Sequence, residues 1–276
     1  YNGRPLTNLL GIDDPSTSVF DDPATDAIEG RILSNTNWQE AIFRNAVSTD
    51  HNLSASANIF NGVPFRASVG FANNEGLVRT NDYRRISGSV KMTPTYFDKH
   101  LKVDFNAKGI YSKKNAIDEG GALGGAINMD PTKPIYDISP DNRFGGYYQD
   151  FVQTSSGENT NALSGQYNPL ALLMQSRKPQ RAIRFLGNVE FDYKMHFLPE
   201  LRAVVNVGLD SNKATMEDVF AQNALATYQV RGNDFLTNPG RNYYEVQTMT
   251  NTTWDSYFVY AKNLTSGFLT KFDVQG

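Results

Sequence analysis

Hydrophobic and polar residues alternate with a period of two in several stretches of this chain. These stretches lie near residues 51–60, 65–72, 83–93, 100–111, 182–194 and 201–210, and a last pair fills 245–274. In the stretch 100–111, for example, Leu101, Val103 and Phe105 alternate with polar side chains. A period of two with one apolar side is the pattern of a half-buried β-strand. The chain is therefore predicted to be all-β, with about eight antiparallel strands.

The connections between these strands alternate between short and long. Tight turns are expected at 61–64, 94–99 and 196–200, and longer connections at 73–82, 112–181 and 211–244. This asymmetry is typical of an outer-membrane β-barrel, which has short periplasmic turns and long extracellular loops. Several strands reach about ten residues, which exceeds the usual length in soluble sheets and matches a tilted membrane crossing. The pattern predicts a segment of an up-and-down transmembrane β-barrel.

A second interpretation is a self-contained, secreted or surface-attached β-domain that binds carbohydrate or acts in adhesion. A soluble β-sandwich would show the same alternation and would also expose polar faces to water. The two interpretations differ in the fate of the apolar faces. A sandwich packs them inward against a second sheet, whereas barrel strands present them outward to lipid.

Composition excludes several classes of function. The 276-residue chain has no cysteine, so it has no disulfide, no catalytic thiol and no cysteine-ligated metal. Its net charge of −3 provides no basic surplus to bind phosphates, so a nucleic-acid partner is not expected. No stretch approaches the ~20 consecutive apolar residues that a helical membrane span requires.

The sequence shows no catalytic constellation and no cofactor or metal motif. The glycine-rich stretch 120–125 lacks the Lys-Ser/Thr that follows in a phosphate-binding loop, and it is expected to be a flexible or tightly turned segment. His51, His100 and His196 lie far apart in sequence at predicted strand or turn boundaries, so we expect interfacial or turn residues and no metal site. The chain is therefore not predicted to be an enzyme.

Two acidic pairs near the N-terminus could supply oxygen ligands to calcium. The pairs at 13–14 and 21–22 each precede a proline. Aspartate followed by proline commonly initiates a turn, and the spacing is not that of a calcium loop. Turns are the favoured interpretation.

The long insertion at 112–181 is the segment most expected to carry function. It is rich in Gly, Asn, Asp, Pro and Tyr, and a short helical turn is expected at 168–173. Aromatic faces stack on sugar rings, while Asn and Asp hydrogen-bond hydroxyl groups. The insertion could instead pack on itself or on a partner, since long loops are usually functional or disordered. Its candidate contacts to a substrate or a lid protein are Tyr136, Phe144, Tyr147, Tyr148 and Tyr167.

An ordered series of short stretches resembles the SusC/RagA-type TonB-dependent outer-membrane transporters. The stretches are NWQEAIFR at 37–44, DHNLS at 50–54, SVGFANNEG at 68–76, DEG at 118–120, MDPTKPIY at 129–136, NPLALL at 168–173, FDY at 191–193 and FLPEL at 197–201. No single stretch is diagnostic, but their order along residues 35–210 is specific.

The resemblance implies a barrel of about 22 strands with an N-terminal plug. Such transporters sit in the bacterial outer membrane and import oligosaccharides, or in some cases peptides. A SusD-like surface lipoprotein closes over the barrel, and the TonB complex supplies the energy. The chain shows no recognisable plug, TonB-contacting segment or signal sequence, and its last residues lack a terminal aromatic. Residues 1–276 are therefore expected to be an internal part of the receptor barrel, with 112–181 as a long extracellular loop.

Overall fold

The alternating stretches form one antiparallel sheet. The computed structural model describes residues 34–60, 62–230 and 240–262, together with the backbone of residues 19–20, 31–32, 231, 234–235 and 272–275. The strands are β1 (Val19–Phe20), β2 (Arg31–Ile32), β3 (Ser48–Ile59), β4 (Val63–Glu75), β5 (Asp82–Met92), β6 (Thr95–Tyr96), β7 (Leu101–Ala116), β8 (Phe151–Gln153), β9 (Asn159–Leu163), β10 (Ser176–Lys194), β11 (Leu201–Phe220), β12 (Val230–Arg231), β13 (Asp234–Phe235), β14 (Arg241–Lys262) and β15 (Phe272–Gln275). The helices are α1 (Trp38–Ile42), α2 (Glu119–Asn128), α3 (Pro169–Met174) and a 3-10 helix at Leu225–Thr227.

The main sheet has the up-and-down order that the sequence predicts. Its strands lie in the order β15-β14-β11-β10-β7-β5-β4-β3, all antiparallel, and the short β6 pairs with β7. The predicted all-β class and strand number are confirmed. The predicted tight turns are confirmed where β3 meets β4, where β5 leads to β7 and where β10 meets β11.

Several strands are longer than the alternation predicts. β7 continues to Ala116 and β10 begins at Ser176, so the connection between them covers 117–175 and not 112–181. β11 likewise continues to Phe220 and β14 begins at Arg241. Strand pairing requires only backbone N–H and C=O groups. It therefore extends past the last apolar residue, where the side-chain pattern gives no signal.

Pairing register places the apolar residues of successive strands side by side. Phe71 pairs with Ile86, Ile86 with Tyr111, and Tyr111 with Ile183. We call this side of the sheet the apolar face; its members include Leu53, Val69, Phe71, Ile86, Val90, Tyr111, Ile183, Phe185, Phe191, Val207, Trp254 and Phe258. A continuous apolar band therefore runs across the sheet.

The apolar face is not covered by any other described part of the chain. Relative exposures are 51% for Ile86, 60% for Ile183 and 70% for Trp254. A β-sandwich would bury these side chains against a second sheet. The uncovered face favours the barrel interpretation over the free-standing sandwich.

The opposite side, which we call the polar face, carries ion pairs between neighbouring strands. Arg184 donates two hydrogen bonds to Asp210, at 2.9 and 2.7 Å. Arg202 contacts Asp192 at 2.6 Å. Exposed pairs of this kind contribute little to stability, because solvent screens them. Through these ion pairs, the positive and negative side chains of the polar face largely balance each other.

The long connections gather at one end of the sheet and pack together. We call residues 34–47, 76–81, 117–175 and 221–229 the loop assembly. One of its two cores contains Trp38, Ile42, Val78, Ala122, Ala126, Met129 and Leu173. The other contains Phe144, Ala171 and Leu225. Within the described residues, no helix is long and apolar enough to span a membrane.

Candidate functional site

Helix α1 ties the chain before β3 to the long connection between β7 and β10. Asn37 caps its start by accepting a hydrogen bond from the backbone of Glu40 at 3.1 Å. The indole of Trp38 is buried and donates to the carbonyl of Asp130 at 2.9 Å. Ile42 is fully buried in the same core. An indole packs well only where its N–H finds a partner, so this contact fixes the position of α1.

Asn168 is the polar centre of the long connection. It is fully buried, and its side-chain oxygen accepts from the backbones of Leu170 and Ala171 at the start of α3. Its amide donates to the carbonyls of Ile135 at 2.8 Å and Tyr148 at 3.1 Å. The predicted helical turn at 168–173 is confirmed as α3. Its sequence signal was Asn followed by Pro, the pattern of a capped helix start.

The glycine-rich stretch forms helix α2 and not a flexible or tightly turned segment, so that prediction was wrong. Asp118 caps the helix by accepting from the backbone of Gly121 at 3.0 Å. A Cβ on Gly125 would lie 3.0 Å from the carbonyl oxygen of Tyr167 and 3.1 Å from the Cβ of Pro169. Small residues are needed there because α2 approaches α3 closely. The capping Asp was the signal that could have identified the helix.

Two of the predicted aromatic residues form a pair on the loop assembly. The rings of Tyr136 and Tyr147 lie 5.4 Å apart, and their backbones form a β-bridge. Tyr136 is 57% exposed, whereas Tyr147 is half-buried. Burial raises the pKa of the Tyr147 phenol, and the neighbouring Tyr136 adds to the shift. The Tyr147 phenol is therefore neutral near pH 7 and can donate or accept hydrogen bonds.

Fixed polar groups lie beside this pair. Asp137 accepts from the backbone of Ser139 at 3.0 Å and from the amide of Asn142 at 3.2 Å. Burial opposes ionisation of Asp137, but these hydrogen bonds outweigh it and lower the pKa of the carboxyl. The amide of Asn142 also donates to the carbonyl of Tyr147 at 2.9 Å. An aromatic surface flanked by a held carboxylate can contact the faces and hydroxyls of a sugar or the groups of a peptide.

Tyr148 belongs to a half-buried polar cluster of three residues. Its hydroxyl donates to Asp150 at 2.5 Å, and the ammonium of Lys133 lies 3.1 Å from the same carboxylate. Burial and then the hydrogen bond to Asp150 raise the pKa of Tyr148. Burial alone would lower the pKa of Lys133, but the contacts with Asp150 outweigh it and raise the pKa. The cluster holds the ring of Tyr148 in place.

Phe144 does not fit the predicted role. Its ring is 1% exposed and packs against Phe151 at 5.8 Å and Tyr228 at 5.1 Å between ring centres. A substrate cannot reach a ring that the loop assembly encloses, so Phe144 is a core residue. Tyr167 is 43% exposed and is available to a ligand. The sequence did not distinguish these two environments, because both residues lie in polar, glycine-rich surroundings.

Gln175 joins the long connection to the one between β11 and β14. Its amide donates to the carbonyl of Phe144 at 2.7 Å, and its side-chain oxygen accepts from the backbone of Leu225 at 2.9 Å. The backbone of Ala221 donates to the carbonyl of Gln175 at 2.9 Å. The two connections are therefore held to each other by hydrogen bonds as well as by their shared core.

Two of the three histidines converge at the short-turn end of the sheet. The rings of His100 and His196 stack with centres 3.9 Å apart, and Tyr193 hydrogen-bonds His196 at 2.7 Å. His51 lies on β3 and is paired with Phe71. Among the described residues, no three His, Cys, Asp or Glu side chains are grouped so that they could hold a metal ion. The acidic pairs at 13–14 and 21–22 lie outside the described residues.

Comparison with known proteins identifies relatives of the predicted class. No protein-family model matches the chain. Over 237 residues it is 35% identical to the TonB-dependent receptor SusC of Bacteroides thetaiotaomicron, a match that covers 84% of this chain and 23% of SusC. The relative is a receptor by name and not an enzyme, as predicted.

The fold is similar to that of a chain of the RagAB peptide importer. In the closed-closed state the TM-score is 0.62 at 15% identity, covering 84% of this chain and 24% of that chain. In the open-open state the TM-score is 0.62 at 14% identity, covering 95% and 28%. At this identity the likeness shows the fold alone.

The chain thus spans about a quarter of the length of these relatives, as the matched shares of 23% to 28% show. The sequence match to SusC extends along most of the chain, and the fold is similar to that of a chain of the importer. The ordered motifs, the long antiparallel strands and both comparisons agree. This chain belongs to the SusC/RagA-type family of TonB-dependent outer-membrane transporters.

Proposed function

We propose that this chain forms part of the wall and the surface loops of a transporter that imports oligosaccharides or peptides. The observation that carries the proposal is the continuous, uncovered apolar face of long strands, set back to back with a charged polar face. Lipid would cover the apolar face, and the polar face would line the lumen. Similarity to a TonB-dependent receptor and to a peptide importer supports this function.

The loop assembly is proposed to lie outside the cell and to meet the substrate. In barrels of this kind the long connections are extracellular and the short turns periplasmic. Tyr136, Tyr147, Tyr148 and Tyr167 are the proposed contacts, with the exposed Tyr136 and Tyr167 touching cargo first. Aromatic rings beside a held carboxylate suit sugars and peptides better than small ions.

A SusD-like surface lipoprotein is the proposed partner over these loops. Leu123 and Ile127 lie one turn apart on α2, and both side chains are exposed. Ile138 is 96% exposed between two turns of the long connection. Apolar side chains exposed on an ordered surface support contact with another protein. Coupling to the TonB complex and closure by a plug would be made by other parts of the full-length transporter.

Uptake by cells that carry the full-length transporter tests the proposal. Labelled oligosaccharides and labelled peptides would be offered in parallel, with and without an active TonB complex. We expect TonB-dependent uptake of one of the two classes. TonB-independent uptake of both, or binding at the surface without uptake, would refute transport.

Variants of the loop residues test the proposed contacts separately. Tyr136→Ala and Tyr167→Ala should raise the half-saturating substrate concentration about tenfold, because each removes an exposed ring. Tyr136→Phe and Tyr167→Phe keep the exposed rings and serve as matched controls, which should take up substrate as the wild type does. Normal uptake by both alanine variants would exclude these rings as contacts while leaving transport itself intact.

A further inference from the structure

Three cations lie side by side on the apolar-face side of the sheet, near the loop assembly. Arg84 on β5 pairs with Lys113 on β7, and Lys113 pairs with Arg181 on β10. The next row down on the same side is Ile86, Tyr111 and Ile183. We call these cations the basic row. It lies directly above the apolar band, at the end of the sheet where the long connections gather.

The basic row is only partly neutralised within the described residues, because one of its three cations has an acidic partner. Neighbouring strands lie about 4.8 Å apart, so like charges in one row repel and destabilise the sheet. No described carboxylate lies within 4.0 Å of Arg84 or Lys113. On the polar face, Arg184 differs from these two cations because it forms a bidentate ion pair with Asp210. Arg181 meets Glu217 only at 3.6 Å.

Hydrogen bonding does not remove this excess charge. Arg84 donates to the neutral side-chain oxygen of Asn73 at 2.8 Å. On the polar face, Lys91 and Arg202 have acidic partners at 3.5 and 2.6 Å. A row of three cations that meets a single carboxylate keeps excess positive charge at one level of the sheet, and this suits an anion from outside the chain.

A cleft of about 570 Å³ opens beside the basic row. The loop assembly overhangs the strands here. The cleft is lined by Arg44, Thr80, Asp82, Arg84, Lys113, Asn115, Met174, Ser176, Arg177, Pro179 and Arg181. Its one acid, Asp82, is bound to Arg44 at 2.6 Å. The remaining cations therefore leave a positive cleft that is large enough for a phosphate headgroup.

We propose that this cleft binds the phosphate group of an anionic membrane lipid in the outer leaflet. Lys and Arg near a membrane surface attract anionic lipids, and guanidinium groups bind phosphate oxygens in pairs. The acyl chains would run down the exposed side chains of Ile86, Tyr111 and Ile183. A free phosphate would gain nothing from this apolar row, so the position of the basic row favours a lipid. The site is separate from the proposed substrate contacts.

Lipid binding to the purified full-length transporter in neutral detergent tests the proposal. The probes are dioleoyl phosphatidate, dioleoyl phosphatidylcholine and inorganic phosphate, measured by native mass spectrometry. The test variant combines Arg84→Gln, Lys113→Gln and Arg181→Gln. Each charge is expected to contribute about fivefold in affinity. The wild type should bind phosphatidate at least tenfold more tightly than phosphatidylcholine, and the variant should lose this preference.

Two control proteins make the result specific. A charge-conserving variant with Arg84→Lys, Lys113→Arg and Arg181→Lys should retain the preference for phosphatidate. A polar-face variant with Lys108→Gln and Lys114→Gln removes charge from the other side of the sheet and should also retain it.

Three outcomes would overturn the proposal. They are equal phosphatidate binding by the wild type and the glutamine variant, equal loss in the polar-face variant, and inorganic phosphate binding as tightly as phosphatidate. The last outcome would identify a site for a free anion. Substrate uptake measured on the same proteins separates this result from the proposed transport function, since neither outcome depends on the other.

Discussion

An arginine placed on the apolar face should impair barrel assembly in proportion to its depth in the membrane. On β10 the outward-facing apolar side chains extend from Ile183 to Tyr193, so the centre of the band lies near residue 188. Val207 pairs with Val189, one residue from this centre. Val205 pairs with Phe191, three residues from it.

The residue offsets convert into depths. A strand rises about 3.3 Å per residue, and a tilt of about 40° reduces this to about 2.5 Å along the membrane normal. Val207 therefore lies about 3 Å from the midplane and Val205 about 8 Å from it. Arginine costs about 2–4 kcal/mol at the midplane and about 0–1 kcal/mol near the interface. We expect about 2–4 kcal/mol for Val207→Arg and about 1–2 kcal/mol for Val205→Arg.

Assembly of the full-length protein can be followed by heat-modifiable migration on gels, which separates folded barrels from unfolded chains. Lys108→Ala, on the polar face, should assemble as the wild type does. The reasoning fails if Val207→Arg assembles as well as Lys108→Ala, or if Val205→Arg is the more damaging of the two arginine variants.

Three further predictions concern the loop assembly, each read out by limited proteolysis of the folded full-length protein. Gly125→Val should destabilise the packing of α2 on α3 by about 1–3 kcal/mol. Gly124→Val is the control, because an added Cβ there meets nothing within 4 Å, and it should be cleaved like the wild type. Equal cleavage of the two valine variants would exclude the close approach of α2 to α3 as the reason for glycine at 125. Asn168→Ala should lower the stability of the loop assembly by about 2–3 kcal/mol, because it removes a helix cap and leaves buried carbonyls unpaired. Unchanged protection from the protease would show that Asn168 does not stabilise the loop assembly. Hydrogen bonds from Thr132 outweigh burial and lower the pKa of Asp130. The stability that ionised Asp130 contributes is therefore present above the ordinary aspartate pKa and is lost as the pH falls through the pKa of the folded state. Asp130→Asn should be less protected than the wild type at pH 7 yet lose less protection on acidification, and an acid response like that of the wild type would contradict this.

The strands could be predicted from sequence because their side chains alternate. In β4 and β7 the apolar residues mark one face over most of the strand, and the register then follows from matching those faces. The strand ends could not be predicted in this way. From 211 to 220 polar and apolar residues no longer alternate cleanly, but β11 continues through backbone pairing alone.

The loop assembly was predictable only where local capping chemistry was present. Asn168 before a proline indicated the start of α3, and Asp118 before a run of small residues could have indicated the start of α2. Contacts between distant segments carried no local signal. The stacking of His100 on His196 and the burial of Phe144 depend on how connections meet in three dimensions. The basic row likewise becomes visible only when the strand register is known.

The hydrogen bonds of Gln175 have a consequence for protein engineering. One side chain contacts the carbonyl of Phe144 and the backbone of Leu225, which belong to two different connections. Helix α1 joins a third segment to the same body through Trp38. Grafting the 117–175 segment alone onto a related barrel would therefore leave buried donors, acceptors and apolar side chains without partners. A chimera with altered cargo preference would have to exchange all of these segments together, as one inherited unit.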